Sequence, residues 1–230
     1  MVAGLKVIYC HGFASGPLSS KGRAVRDHLA RRGIAVDLLD LRVPSPERLR
    51  LSRMIEVVRG ALRGEERALA IGSSLGGLAV ARAAERDPRV AAAVLLAPAF
   101  QLVERWRARM GEDEWARWQR DGTYPYADFA VPGGMLHLDF GFIDDAAEVD
   151  GGWPGLAVPT TIVHGERDDT VEPALSRAFA ASRPHVRLVE VDDDHQLLGS
   201  LDAICAEIDR RLAELGWPPS PDRDDPHDRP

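Results

Sequence analysis

Residues 67–79 read Arg67-Ala68-Leu69-Ala70-Ile71-Gly72-Ser73-Ser74-Leu75-Gly76-Gly77-Leu78-Ala79. A short apolar run, 68–71, leads into Gly72-Ser73-Ser74-Leu75-Gly76. A stretch of small and apolar residues, 75–86, leads out. That is a buried strand, a sharp turn and a helix, with the pattern G-x-S-x-G at the turn. The turn lifts Ser74 above the end of the strand in a strained backbone conformation that only well-packed surroundings can hold. The flanking glycines leave room for the strand and helix to approach closely, and the new helix aims its first N–H groups at the serine, where negative charge would be favoured. Ser73 sits one position early, so its side chain points elsewhere.

The same alternation extends outward in both directions. Residues 7–9, 34–39, 68–71, 90–96, 160–163 and 186–191 read as six buried strands. Between them lie amphipathic stretches: 21–32 with Val25 and Leu29 inward and Gly33 as its stop, 46–62 with Leu49, Ile55 and Val58 inward, 75–86, 173–181 and 201–215. Strand and helix in alternation call for an α/β architecture: a mostly parallel six-stranded sheet with right-handed crossovers and helices on both faces. Ligands on such a sheet bind beyond the carboxyl ends of the strands.

The loops after the other strands carry the remaining chemistry. His11-Gly12-Phe13 follows the first strand, and His11 reads as a brace for its loop rather than a base. His164-Gly165-Glu166-Arg167-Asp168-Asp169-Thr170-Val171 follows the fifth, offering Asp168 or Asp169 as an acid, or else a solvated acidic turn. Asp192-Asp193-Asp194-His195 follows the last strand and places a histidine where a general base would be needed. Serine, carboxylate and imidazole from three loops are the parts of a nucleophilic triad.

Two segments break the alternation. Residues 100–153 hold ten of the fourteen aromatic residues and show no βα rhythm beyond helical character near 103–120. They read as an insertion forming a cap, with Trp106, Trp115, Trp118 and Phe140 as candidates to line an apolar pocket or to supply the cap's own small core. The segment 218–230 is rich in Pro, Asp and Arg and is expected to be a disordered tail. The expected organisation is therefore a core of 1–99 and 154–217, a cap of 100–153 and the tail. A net charge of −7 without a long basic run argues against nucleic acid or an anionic membrane as partner. The two cysteines form neither a disulfide framework nor a metal-ligand spacing, which points to a cytoplasmic protein with no bound metal. No apolar run approaches the ~18 residues of a membrane span, and none has the flanks of a signal peptide.

The elbow in its strand–turn–helix context, and the chain order Ser74, Asp168, His195, resemble the α/β-hydrolase fold. Gly165-x-x-Asp168-x-x-Val171 resembles the pattern that carries the triad acid in many members, which favours Asp168 over Asp169. The resemblance also implies an oxyanion hole from the backbone N–H groups of Phe13 and Leu75. Residues 8–25 and 71–77, through His11-Gly12-Phe13-Ala14-Ser15, Pro17, Ser19-Ser20-Lys21 and the elbow, look like the small bacterial esterases of the YqiA type. That likeness implies a compact serine esterase acting on a small-molecule acyl ester or thioester, without cofactor. The alternatives are peptidase or acyltransferase chemistry on the same triad, or a non-catalytic binding module on the same scaffold.

Overall fold

The computed structural model describes residues 5–128 and 133–217. The main sheet has six strands: β1 (Leu5–Cys10), β2 (Asp37–Leu39), β3 (Arg67–Ser73), β4 (Val90–Leu96), β7 (Thr160–Gly165) and β8 (Val186–Val191). Their order is β2-β1-β3-β4-β7-β8, and every neighbouring pair is parallel. The central strands are covered on both faces, which is why their sequences are continuous apolar runs. Val7, Tyr9, Leu69, Ile71, Val94 and Leu96 turn to one face, under α1 (Ser20–Ala30) and α8 (Leu201–Glu214). Ile8, Cys10, Ala68, Ala70, Ala93 and Leu95 turn to the other, which packs on α2 (Leu51–Ala61) and α3 (Leu75–Ala84).

The second strand is shorter than 34–39, and the reason is a helix cap. Gly33 (φ +70°) closes α1; its N–H bonds Ala30 O at 3.0 Å and the Ile34 N–H bonds Leu29 O at 3.0 Å. This pair of bonds is a Schellman motif, so Ile34 is spent on the cap and buried there rather than on the sheet. The expected helix 46–62 also divides, into a single 3-10 turn at Pro46–Arg48 and α2. Between them Leu49 and Arg50 are extended, which buries Leu49 and sends the Arg50 guanidinium to Asp139, at 2.8 and 3.2 Å.

Between β4 and β7 the chain forms α4 (Leu102–Met110), α5 (Glu112–Asp121), an antiparallel hairpin of β5 (Thr123–Ala127) and β6 (Met135–Asp139), and α6 (Gly141–Val149). The helical character expected near 103–120 is present, broken in two at Gly111 (φ +80°). The hairpin is an addition to the sequence reading. The last crossover helix, α7 (Pro173–Ala181), joins β7 to β8. The tail 218–230 lies outside the described residues. Among the described residues no helix is long and apolar enough to cross a membrane.

The inserted segment is fastened to the core by polar contacts. Arg82 on α3 reaches Asp150 at 2.8 and 3.2 Å, both side chains buried, and also donates to Gly152 O. Asp150 accepts in turn from the Leu102 N–H at 3.3 Å, closing the two ends of the segment on one carboxylate. Ser52 at the start of α2 holds Asp145 through its N–H, at 2.9 Å, and its hydroxyl. Breaking a buried pair strands the remaining charge. Asp150→Ala is expected to cost about 3 kcal/mol, the low end for a broken buried pair because Glu85 still holds Arg82 at 3.2 Å. Urea unfolding measures it, and a loss under about 1 kcal/mol would show that the pair does not anchor the segment.

Candidate active site

Ser74 lies immediately after β3 with φ 52° and ψ −116°. This is the left-handed side of backbone space, which a residue with a Cβ enters only under constraint. The constraint is visible. The Ser74 N–H bonds Leu96 O at 2.8 Å, and its carbonyl accepts from Leu78 and Ala99 at 3.1 Å each. A Cβ at position 72 would come within 2.8 Å of the Gly77 Cα, and one at 76 within 2.7 Å of the Cys10 carbonyl carbon. Neither position has room for any residue but glycine.

The loops after β7 and β8 bring their side chains to Ser74. His195 Nε2 lies 3.1 Å from Ser74 Oγ, and His195 Nδ1 lies 2.7 Å from Asp168 Oδ2. Asp168, rather than Asp169, meets the imidazole. Its second oxygen, Oδ1, accepts from the N–H groups of Thr170 at 2.9 Å and Val171 at 2.8 Å. Burial works to raise the Asp168 carboxyl, but hydrogen bonds from His164, His195 and the Val171 N–H outweigh it and hold the group well below the usual carboxylate range. An ionised Asp168 can only accept, so His195 Nδ1 carries a hydrogen, and Nε2 of the neutral ring is free to accept from the Ser74 hydroxyl. Serine hydroxyl, neutral imidazole and buried carboxylate in line can move a proton off the hydroxyl as it attacks an electrophile.

His164 is a partner that the sequence reading passed over. It is fully buried, its Nε2 is 3.1 Å from Asp168 Oδ2 and 2.9 Å from Val171 O, and its Nδ1 is 2.7 Å from Ser176 Oγ. Two acceptors at Nε2 place the hydrogen there, so Asp168 Oδ2 receives from two imidazoles. The signal was its place in β7, four residues before the acid, but a histidine inside a strand reads first as core. The aspartates before His195 shape its loop: Asp193 accepts from the Asp194 N–H and the Ser200 hydroxyl, both at 2.8 Å, and Asp194 accepts from the Gln196 N–H at 2.7 Å.

The loop after β1 packs against the elbow, where a Cβ on Gly12 would come within 3.3 Å of the Ser74 Cβ. His11 is buried there; its Nε2 accepts from the Leu41 N–H at 3.0 Å and its Nδ1 donates to Gly12 O at 2.8 Å. Burial is the main effect on this ring and lowers its pKa, keeping it the neutral brace that the sequence suggested. The Phe13 ring packs edge-on against Tyr126, centroids 4.7 Å apart, and against Trp106 at 5.2 Å, while Trp106 and Tyr126 stack on each other at 5.5 Å. Leu75 opens α3, so its N–H has no acceptor within the helix.

Ser74 and His195 lie between two clefts. The larger, about 1090 Å³, is walled by Phe13, Trp106, Tyr124 and Tyr126 and carries Arg105, Arg109, Glu114, Asp169 and Glu172. Of the four aromatic candidates in the insertion, Trp106 lines this cleft. Trp115, Trp118 and Phe140 do not; they are buried against one another at 5.3 to 6.1 Å, with Trp118 Nε1 donating to Leu138 O at 3.0 Å, and form the segment's own core. The smaller cleft, about 800 Å³, lies on the side of the β1 loop and α1.

Residues 6–209 match the Uncharacterised protein family UPF0227. The chain belongs to that family. No curated protein matches it. Among solved structures it is similar to the alpha/beta hydrolase domain-containing protein 10 from mouse, with a TM-score of 0.75 at 21% identity over 91% of this chain and 90% of that one. It is also similar to Est1E from Butyrivibrio proteoclasticus, solved with ferulic acid bound (TM-score 0.69, 20% identity, 92% and 89% covered). A pyrethroid hydrolase from Sphingobium faniae gives a TM-score of 0.61 at 19% identity, over 91% and 98%. The fold of this UPF0227 member is that of the α/β-hydrolases, as the resemblance in the elbow implied.

The depressed Asp168 carboxyl has a consequence for stability. A carboxyl whose folded pKa lies below its unfolded value, ordinarily ~3.9, stabilises the fold above that value and loses the contribution as pH falls. Wild type should therefore lose more stability than Asp168→Asn between about pH 5 and pH 3 in urea unfolding. Parallel losses in the two proteins would contradict the charged, hydrogen-bonded state of this carboxylate.

Proposed function

We propose that the protein is a serine esterase that cleaves carboxylic esters, acyl thioesters included, with Ser74 as nucleophile, His195 as general base and Asp168 as the acid that orients it. The observation that carries the reading is the hydrogen-bonded line from Ser74 Oγ through His195 to Asp168, 3.1 and 2.7 Å long, standing between two clefts. His195 Nε2 takes the hydroxyl proton as Ser74 Oγ attacks the ester carbonyl. The N–H groups of Phe13 and Leu75 receive the oxyanion of the tetrahedral intermediate. The intermediate collapses as His195 returns the proton to the departing alcohol or thiol, leaving an acyl-serine. Water, deprotonated by the same nitrogen, then releases the carboxylic acid and restores Ser74. Every step uses groups of this chain, without metal or cofactor.

In this reading 100–153 acts as a cap on a core made of 1–99 and 154–217. Its aromatic wall reaches the oxyanion loop through the Phe13 ring, so the cap positions a catalytic N–H as well as enclosing substrate. The free thiols of Cys10 and Cys205 fit a reducing, cytoplasmic setting. The charged residues of the larger cleft, Arg105, Arg109, Glu114 and Glu172, favour a second reading on the same triad, in which the substrate is polar or peptidic rather than a simple fatty ester.

The test is turnover of p-nitrophenyl esters from acetate to palmitate, with acyl thioesters alongside. Ser74→Ala is expected to abolish it. Asp168→Asn, which allows the wrong imidazole tautomer, is expected to lower kcat by about 10⁴-fold. Turnover that survives Ser74→Ala, or a folded wild type that turns over no ester or thioester, would overturn the proposal.

A further inference from the structure

The smaller cleft differs in charge from the larger one. Where the larger balances arginines with carboxylates, the smaller is lined by Lys21, Arg23 and Arg42, and no Asp or Glu is among its lining residues. Arg42 is held by Asp40, at 2.9 and 2.8 Å. Lys21 and Arg23 are different. Lys21 Nζ donates to Gln196 O at 2.7 Å, and Arg23 Nη1 to Leu18 O at 2.8 Å; neither pairs with a carboxylate among the described residues.

Lys21 is in an unfavourable place three times over. It is buried. It has a neutral carbonyl as its partner, where a buried ammonium calls for an anion. It also sits in the first turn of α1, at the positive end of the helix dipole, in a turn that contains no acidic residue. Burial is the main effect on it and pushes its pKa down to about 8, against the opposing pull of Asp194, Asp168 and Asp193 at longer range. Among the described residues its one hydrogen bond is to the backbone of the residue after His195, so the charge stands beside the proposed reacting centre. A buried cation and a second, exposed one, each bonded to a backbone carbonyl and neither to a carboxylate among the described residues, line one cavity together with Ser15 and Ser20, and that cavity reaches Ser74. Two cations without a carboxylate partner among the described residues, in one cavity, favour negative charge there.

We infer that the smaller cleft binds an anionic group, a carboxylate or a phosphate, carried by the substrate, with Lys21 and Arg23 as its charged contacts. This rests on the esterase reading and narrows it: the preferred ester has one end that is anionic and seated under α1, and another held against the aromatic wall.

Binding is measured first, without turnover, on the Ser74→Ala protein by calorimetry. The probes are 4-acetoxybenzoate, 4-acetoxyphenyl phosphate and the neutral methyl 4-acetoxybenzoate. At least one anionic probe should bind about fivefold or more tightly than the neutral one, and the carboxylate and phosphate arms tell which anion is preferred. Adding Arg23→Gln or Lys21→Gln, the latter keeping a donor for Gln196 O, should bring the ratio toward one, and Arg23→Glu should take it further. In the wild type the ratio of kcat/KM, anionic over neutral, should follow the same order. Equal or weaker binding of both anionic probes, or a preference that survives both Lys21→Gln and Arg23→Gln, would overturn the inference. A binding preference that depends on these residues, in a wild type that hydrolyses no ester, would uphold the anion site and overturn the esterase reading alone.

Discussion

The backbone of Ser74, at φ 52° and ψ −116°, holds a conformation that costs about 1–3 kcal/mol for a residue with a side chain, and the surrounding architecture is arranged to keep it there. β3 must end, and α3 must begin, within two residues of the serine. That is possible only because Gly72 and Gly76 let the strand, the helix and the β1 loop approach to distances a Cβ would forbid. The central position of β3 between β1 and β4 supplies the rest: Leu96 takes the Ser74 N–H, and Cys10 and His11 press on the first turn of α3. Positive φ angles recur at Ala14 and Leu197, in the loops that carry Phe13 and His195. Ala97 (φ 45°) and Gln101 (φ 52°) add two more in the chain that follows β4, so among the described residues every non-glycine positive φ lies in chain that follows the elbow strand or one of the strands β1, β4 and β8.

The inserted segment belongs to that centre energetically as well as spatially. Its polar fastenings, Arg50 to Asp139, Ser52 to Asp145 and Arg82 to Asp150, run to α2, α3 and the chain just before α2. Its aromatic side chains divide between two tasks. Trp115, Trp118 and Phe140 give the segment a core, and Trp106 and Tyr126 clamp the Phe13 ring. Aromatic pairs of this kind contribute about 0.5–1.5 kcal/mol each beyond their burial, which suffices to fix the loop that Phe13 belongs to. The wall of the larger cleft and the position of the Phe13 loop therefore depend on the same contacts.

The six strands, their mostly parallel pairing and the loops bearing Ser74, Asp168 and His195 were legible in the sequence, because they rest on the alternation of strand and helix, on local periodicity or on a turn whose residue types are dictated by sterics; the order of the strands in the sheet was not. What escaped was decided partly by local caps and partly by partners distant in the chain. The shortened β2 and the split before α2 follow from a cap at Gly33 and from Asp139, 89 residues away from Arg50. The β5–β6 hairpin does alternate, with Tyr124, Tyr126, Leu136 and Leu138 turned inward, but each strand has only five residues and Pro125 inside β5 speaks against a strand. The sequence alone assigned no role to His164 and none beyond the family resemblance to Lys21. Only the folded chain brings one against Asp168 and the other under Gln196. The division of the tryptophans between pocket and core could not be read from composition either, because both tasks ask for the same residue type.

The most direct measurement is covalent capture of the nucleophile. A fluorophosphonate ester mimics the acyl donor and leaves a stable phosphonyl group on an activated serine, which peptide mass spectrometry locates. The account predicts one equivalent of label on Ser74, none on Ser73, and labelling at least about 10³-fold slower when His195 is replaced by Ala. Label on another residue, or a folded protein that takes up none, would contradict the central claim that this elbow presents an activated serine.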